Sequence, residues 1–317
     1  MLVSVIVPLY NKQKYVVRAL DSITRQTFSE IEVIVIDDGS TDGGAEVACA
    51  YGDPRVRVLR QANAGPGAAR NRGLTEAKGD LIAFLDADDE WMPAYLESCV
   101  RAFEELGPEV ATVTFGYVDF PEEQSREPMW RKRGLTDGVF RVSASTSPLQ
   151  LVHMLAYMWN CSTVARASTV RQYGGFYAKN RSTFGEDAVL WLKVLLNETV
   201  CFQMKPLTCF HREASALSGN YRAARPIEAF LLDPEDVAAF SPPELLPLLR
   251  AFYAVRACKT AAVLGYWGQW NSSRLLFRKF VELRDWRLPF FLPALIGCTP
   301  VAGIVGRALE SVRNASR

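Results

Sequence analysis

Three carboxylates, Asp86, Asp88 and Asp89, follow closely on the apolar run Leu81-Ile82-Ala83-Phe84-Leu85. An apolar run of this length reads as a buried strand. Carboxylates so close together repel one another and raise each other's pKa, so the cluster asks for a positive partner. A divalent cation such as Mg²⁺ or Mn²⁺ suits it, because these ions take hard oxygen ligands and keep phosphate oxygens in their shell. At D-x-D-D spacing the carboxylates can hold an ion and a nucleotide hydroxyl together. Read alone, the same four residues also make a polar turn with Asp89 capping the next helix.

Other residue groups could serve the same chemistry. "DDGSTD" (37–42) is a second acidic strand end, either a turn or a carboxylate that accepts from a base or ribose. In "GPGAARNRG" (65–73), Arg70 and Arg72 could face a diphosphate, and a solvated helix face is the alternative, more so for Arg72. This segment is no dinucleotide fingerprint: it lacks G-x-G-x-x-G, and the first strand–helix turn has no glycine. Glu186 and Asp187 open the helical pattern "GEDAVLWLKVLL" (185–196), where the helix dipole favours anions. With His153 and His211 the only histidines, a His/Cys zinc cluster is excluded, and no G-x-S-x-G supports a hydrolase triad.

The elements that must position these residues alternate. "VSVIVPLY" (3–10), "IEVIVIDDGSTD" (31–42, ending in a polar turn), 55–59, 80–86 and 109–118 read as strands; 15–26, 65–79 and 93–106 read as helices, with a short one following the 31–42 turn. Strand–helix alternation with continuously apolar strands indicates an α/β protein with a mostly parallel central sheet, Rossmann-like and flanked by helices. Ligands bind such sheets beyond the carboxyl ends of the strands. Tyr10, the Asp37-Asp38 pair and the D-x-D-D block all fall at such ends. Residues 119–150 read as irregular, 153–176 as mixed, and the chain from 229 onward as helical.

The 317 residues are about half apolar and carry a net charge of +1, a globular composition with no general affinity for nucleic acid. Charge is uneven, with eleven Lys/Arg against four Asp/Glu from Ser241 onward. Seven scattered cysteines without a C-x-x-C pair fit a reducing compartment, and the apolar opening has no basic secretory region, so a cytoplasmic location is expected.

Three blocks, "VSVIVPLYNKQKYVVRALDSITRQTFSEIEVIVIDDGSTDG", "NAGPGAARNRGLTEAKGDLIAFLDADDEWMP" and "GEDAVLWLKVL", resemble family-2 glycosyltransferases of the GT-A fold, nearly continuously over 1–95 and more thinly through 110–220. The resemblance implies a GT-A catalytic domain over 1–225, with 1–118 holding a nucleotide-sugar donor and 119–225 the acceptor, followed by a helical region over 226–317. It implies inverting transfer from a nucleotide-diphosphate sugar to a glycan or lipid-linked acceptor, with a divalent metal, in the manner of bacterial polysaccharide and cell-envelope enzymes. By motif, Tyr10 and Asp38 line the base pocket with Asp37 beside them; Pro8 and Arg70 are expected among the nucleotide-sugar contacts. Asp86 lies near the ribose and Asp88 at the metal, with Asp86 able to share the ion and Asp89 a further contact. Asp187 is the implied general base and Glu186 its neighbour, while Arg212 stands for the arginine of a loop that often reads Tyr-Arg-x-His. A nucleotide-sugar-binding protein and a nucleotidyltransferase remain alternatives. The second usually carries a Gly-rich basic loop after strand one, where this chain has Pro8-Leu9-Tyr10-Asn11-Lys12.

One further segment stands out. "LPFFLPALIGCTPVAGIVG" (288–306) has no charge, and its prolines and glycines argue against one regular membrane-spanning helix. With arginines at 284, 287 and 307, it reads first as a segment lying on an anionic membrane surface, peripheral to the inner face of the cytoplasmic membrane, with a buried core or dimer element and then a true span as the alternatives.

Overall fold

The computed structural model describes residues 1–214, 226–285 and 287–301. The first half alternates as the apolar pattern requires: β1 (Val3–Leu9), α1 (Val16–Thr24), β2 (Ile31–Asp37), α2 (Gly44–Cys49), β3 (Val56–Arg60), α3 (Pro66–Glu76), β4 (Leu81–Phe84), β5 (Glu90–Trp91), α4 (Tyr95–Leu106) and β6 (Val110–Phe120). Then come β7 (Gln124–Ser125), α5 (Glu127–Lys132), β8 (Gly138–Arg141), α6 (Pro148–Tyr157), β9 (Thr163–Arg166), α7 (Ala167–Gln172), α8 (Glu186–Asn197) and β10 (Thr199–His211). The rest is helical: α9 (Ala229–Leu232), α10 (Pro234–Ala238), α11 (Leu246–Tyr266), α12 (Trp270–Lys279) and α13 (Phe291–Gly297).

The sheet runs β3-β2-β1-β4-β9-β6-β10-β5. Its first four strands are parallel, as the apolar runs imply. Beyond β4 it is mixed: β9 runs antiparallel to both β4 and β6, while β6 and β10 pair in parallel. β1 leads outward to β2 and β3, whereas β4 lies on its other side, so the connections diverge at β1. That divergence opens a crevice beyond the strand ends. The region 119–150 contains β7, α5 and β8, of two to six residues each, too short to show a period in the sequence.

One face of the sheet is covered by α1 and α4 through residues such as Leu20, Ile23, Leu96 and Phe103. The other is covered by α3, α6 and α8, and α11 packs on α6 behind it, so that Ile6, Phe84 and Trp191 belong to the same buried cluster as Phe252 and Ala257. The long helix α11 thus joins the same buried core through α6. Close approach has set several glycines. A Cβ on Gly67 of α3 would lie 2.3 Å from the Tyr177 carbonyl oxygen, and one on Gly73 would lie 2.4 Å from the Ile6 side chain. All seven cysteines are free thiols and most are buried.

Candidate active site

The crevice is a cleft of about 800 Å³. It gathers Pro8 and Tyr10 from the end of β1, Asp38 from the end of β2, Arg70 from α3, Asp86, Asp88 and Asp89 from the turn after β4, and Glu186 and Asp187 from the start of α8. Elements far apart in the chain therefore deliver polar groups to one space.

Arg70 joins them. One guanidinium nitrogen donates to Glu186 Oε1 and another to Asp86 Oδ1, each at 2.8 Å. The ring of Phe176 supports the guanidinium, 5.3 Å from centroid to carbon. Arg70 is buried. Burial opposes its charge, but Asp86, Glu186 and Asp187 outweigh that effect and raise its pKa further, so it stays cationic.

Each acidic strand end has a distinct local role. Asp38 is buried and accepts from the backbone N–H groups of Ala64 and Gly65 at 2.8 and 2.9 Å and from the Gln61 side chain at 2.8 Å. It therefore fixes the loop that enters α3. Asp37 accepts from Ser40 N–H at 3.0 Å and shapes its own turn. Tyr10 stands half exposed at the cleft.

In the D-x-D-D turn, Asp88 Oδ2 accepts from the Lys12 ammonium at 2.5 Å, and Lys12 also reaches the Ala214 carbonyl at 2.6 Å. Asp89 is enclosed: Oδ1 accepts from His211 N–H at 2.9 Å and Oδ2 faces the Cys161 thiol at 3.6 Å. Burial raises the carboxyl pKa of both Asp88 and Asp89, and the neighbouring aspartates add to it.

This excess of negative charge fits a divalent cation. Ligand atoms of Asp86, Asp89 and Cys161 lie within 4.8 Å of one another. Burial and the adjoining carboxylates hold the Cys161 thiol protonated, which leaves the carboxylates as the donors, a set suited to Mg²⁺ or Mn²⁺. Asp89 already has a hydrogen-bond partner on each oxygen. Asp86 and Asp88 each use one oxygen, on Arg70 and Lys12 respectively.

At the start of α8, Asp187 Oδ1 accepts from the Ala188 N–H at 2.8 Å, and the side chain keeps a path to the cleft. Desolvation first, then the charge of Glu186, pushes its pKa up to about 7. A carboxylate poised there can take a proton near neutral pH. Glu186 is held by Arg70 and is buried. Gly185, with φ of +72°, starts the helix in a conformation that favours glycine, and a Cβ there would lie 3.1 Å from Glu228.

Two of the expected contacts, Asp37 and Arg212, are not among the residues lining the cleft. Arg212 pairs with Asp119 at 2.5 Å, beside the Arg126–Asp119 pair. Its neighbour His211 touches the acidic turn instead, through its backbone. The segment that carries Arg212 is described only as far as Ala214.

The sequence reading missed Lys12, Cys161, Phe176 and the Glu228–Arg256 pair. Lys12 stood in the same turn as Tyr10 and carried a signal. The others carried none, because their roles arise only from folding. Glu228 and Arg256 pair at 2.5 Å, and Thr260 donates to Glu228 at 2.8 Å. Both members of the pair line the cleft, with Phe230 beside them.

Comparisons with known proteins bear on the family and the fold. The family model for "Glycosyl transferase family 2" matches residues 4–157. Glycosyltransferase GlyA of Streptococcus pneumoniae is 30% identical over 227 residues, 68% of this chain and 31% of that protein. Glycosyltransferase GlyG of the same organism is 40% identical over 124 residues, 38% of this chain and 40% of that protein. The chain spans about a third of the length of the curated relatives it matches. The S. aureus TarS 1-349 structure in complex with UDP superposes with a TM-score of 0.63 at 19% identity, covering 98% of this chain and 92% of that one. The mannosyltransferase PcManGT of Pyrobaculum calidifontis, in complex with GDP-Man and Mn²⁺, gives 0.51 at 19% identity, covering 97% and 87%. The fold is GT-A, and residues 4–157, with the acidic strand ends of the cleft, are a family-2 glycosyltransferase domain.

Proposed function

We propose that this protein transfers a sugar, with inversion, from a nucleotide-diphosphate donor to a hydroxyl of a glycan or a lipid-linked acceptor. The observation that carries the reading is the double bridge of Arg70, which ties the D-x-D-D turn to the start of α8, so that Asp187 and the acidic turn line one cleft.

In this reading Tyr10 and Pro8 take the base, Asp38 holds the loop beneath it, and Asp86 meets the ribose. Asp88 and Asp86 would hold a divalent cation, which, when bound, supplies positive charge at the diphosphate. The acceptor oxygen forms its bond to the anomeric carbon as the bond from that carbon to the diphosphate oxygen breaks. The electron pair leaves with the diphosphate, and Asp187 takes the hydroxyl proton. Burial, and after it the charge of Glu186, which Arg70 fixes, keep the Asp187 pKa raised, which matches the base to neutral pH. Val152, Leu155, Trp159 and Phe230 give the cleft an apolar wall for an acceptor.

Similar folds have been solved with UDP-GlcNAc and GDP-Man, so UDP- and GDP-sugars are the first donors to test. The proposed setting is the cytoplasm, at the inner face of the membrane, where a lipid-linked acceptor presents its head group. Among the described residues, no helix is long and apolar enough to cross a membrane. The experiment is a donor panel scored by released nucleoside diphosphate, with and without acceptor glycans. Acceptor-dependent release with one donor supports transfer. Tight donor binding without release across the panel supports a binding protein instead.

A further inference from the structure

α13 is built inside out. A surface helix ordinarily turns its large apolar residues to the core. Here the residues turned inward are Ala294 and Gly297, both buried, while Leu292, Leu295 and Ile296 are 66%, 48% and 52% exposed. The inward packing is tight: a Cβ on Gly265 of α11 would lie 2.0 Å from the Gly297 Cα. Two glycines therefore seat α13 directly on α11, and its aliphatic face is left outside. Phe290 and Val301, at either end, are also more than half exposed. Single exposed leucines are ordinary, but a contiguous aliphatic helix face marks an interaction site.

The border of this face is cationic. Arg274 of α12 donates to the Cys298 carbonyl at 2.7 Å, which sets its head at the end of α13. Arg278 follows one turn later and is exposed. From Trp270 to Val301 the chain carries five Lys/Arg against two Asp/Glu.

We propose that the Leu292–Leu295–Ile296 face docks into an anionic lipid surface, with Arg274 and Arg278 at the head groups. Aliphatic residues bordered by arginines are what an interfacial helix presents to acidic lipid. A second copy fits less well, because two-fold pairing sets the same patch against itself and brings its arginines together. Seven residues of helix span roughly 10 Å, against a hydrocarbon core of about 30 Å, so α13 lies in the interface and does not cross it.

The inference deepens the membrane-side placement in the proposed function and rests on that reading for its purpose. α11 carries Gly265 beneath α13 and Arg256 in the cleft wall. Nine residues of helix separate them, roughly 13 Å. Docking through α13 thus holds the acceptor wall close to the head groups, within reach of a lipid-borne sugar.

The test is flotation of the full chain with phosphatidylcholine vesicles, with and without one quarter phosphatidylglycerol, at low and high salt. The wild type should float with the anionic vesicles and lose binding in high salt. L292E/L295E should bind roughly tenfold or more weakly, and R274Q/R278Q should bind weakly and lose most of the salt dependence, both with donor affinity unchanged. A wild type that stays at the bottom with both vesicle types would overturn the proposal, as would L292E/L295E floating like the wild type. A dimeric wild type made monomeric by L292E/L295E, without vesicle binding, would assign the face to a second copy. Vesicle binding with no sugar transfer would instead count against the proposed function and leave the docking intact.

Discussion

Arg70 and Glu186 meet at 2.8 Å across 116 positions of chain, and the same guanidinium reaches Asp86 at the same distance. The pair is buried, with side-chain exposures of 5% and 9%. Its loss would leave carboxylates without their cation in a desolvated place. Arg70→Met is expected to cost about 3–5 kcal/mol in urea denaturation. Arg70→Lys keeps the charge but not the fork, so it should recover only part of the stability and of the donor affinity. An Arg70→Met protein as stable as the wild type would show that the bridge does not organise the site.

Asp38 acts through the loop it holds. Asp38→Ala strands the Ala64 and Gly65 N–H groups, with an expected loss of about 1–3 kcal/mol and weaker donor binding by calorimetry. Asp38→Asn keeps one acceptor oxygen and should fall between Ala and wild type. Equal donor affinity in all three proteins would remove Asp38 from the nucleotide side.

Gly67 tests the seating of α3. Its Cβ position is occupied by the Tyr177 carbonyl oxygen, a backbone atom that can yield only by moving its strand of chain. Gly67→Ala should therefore lose about 1–3 kcal/mol by thermal unfolding, and donor affinity should fall as Arg70 shifts with its helix. An unchanged melting temperature would mean that the contact is looser than the geometry states.

Lys12 and a divalent ion would compete for Asp88. Lys12→Met should tighten Mn²⁺ binding, followed by electron paramagnetic resonance, because the carboxylate loses its resident cation. Asp88→Ala should abolish metal-dependent donor binding, whereas Asp86→Ala should weaken nucleotide binding more than metal binding. Weaker Mn²⁺ binding in Lys12→Met would place the ion away from Asp88.

Much of this architecture was legible because period and polarity coincide. Val3–Leu9, Ile31–Asp37 and Leu81–Phe84 are apolar runs that end in polar turns, and each proved a strand delivering its end to the cleft. The start of α8 was legible from Gly185 followed by two carboxylates. β9 was not, because its four residues sit within a stretch of mixed polarity and gain strand character only by filling the gap between β4 and β6. Asp37 and Asp38 look equivalent in sequence. One turns back to Ser40 and the other crosses to a loop over twenty residues on, which depends on tertiary placement. The uncharged tail 288–306, of which 302–306 lie outside the described residues, was visible as composition. Which of its residues face outward was not, since that depends on the Gly265–Gly297 contact.

The pH dependence of transfer in the wild type and in Asp187→Asn tests the central claim most directly. A base must be deprotonated to act, so wild-type turnover should rise as pH climbs through about 7 and level off above it. Asp187→Asn should bind donor normally, transfer about 10²–10⁴-fold more slowly and lose that inflection. Stability carries the opposite sign. A carboxyl whose folded pKa is raised from its ordinary 3.8 to about 7 favours the fold at low pH and loses that contribution as pH rises through 7. Asp187→Asn, always neutral, should thus melt higher than the wild type at pH 8, with the gap closing towards pH 4. Transfer by Asp187→Asn within a few-fold of wild type, with the same inflection, would contradict the assignment of Asp187 as the base.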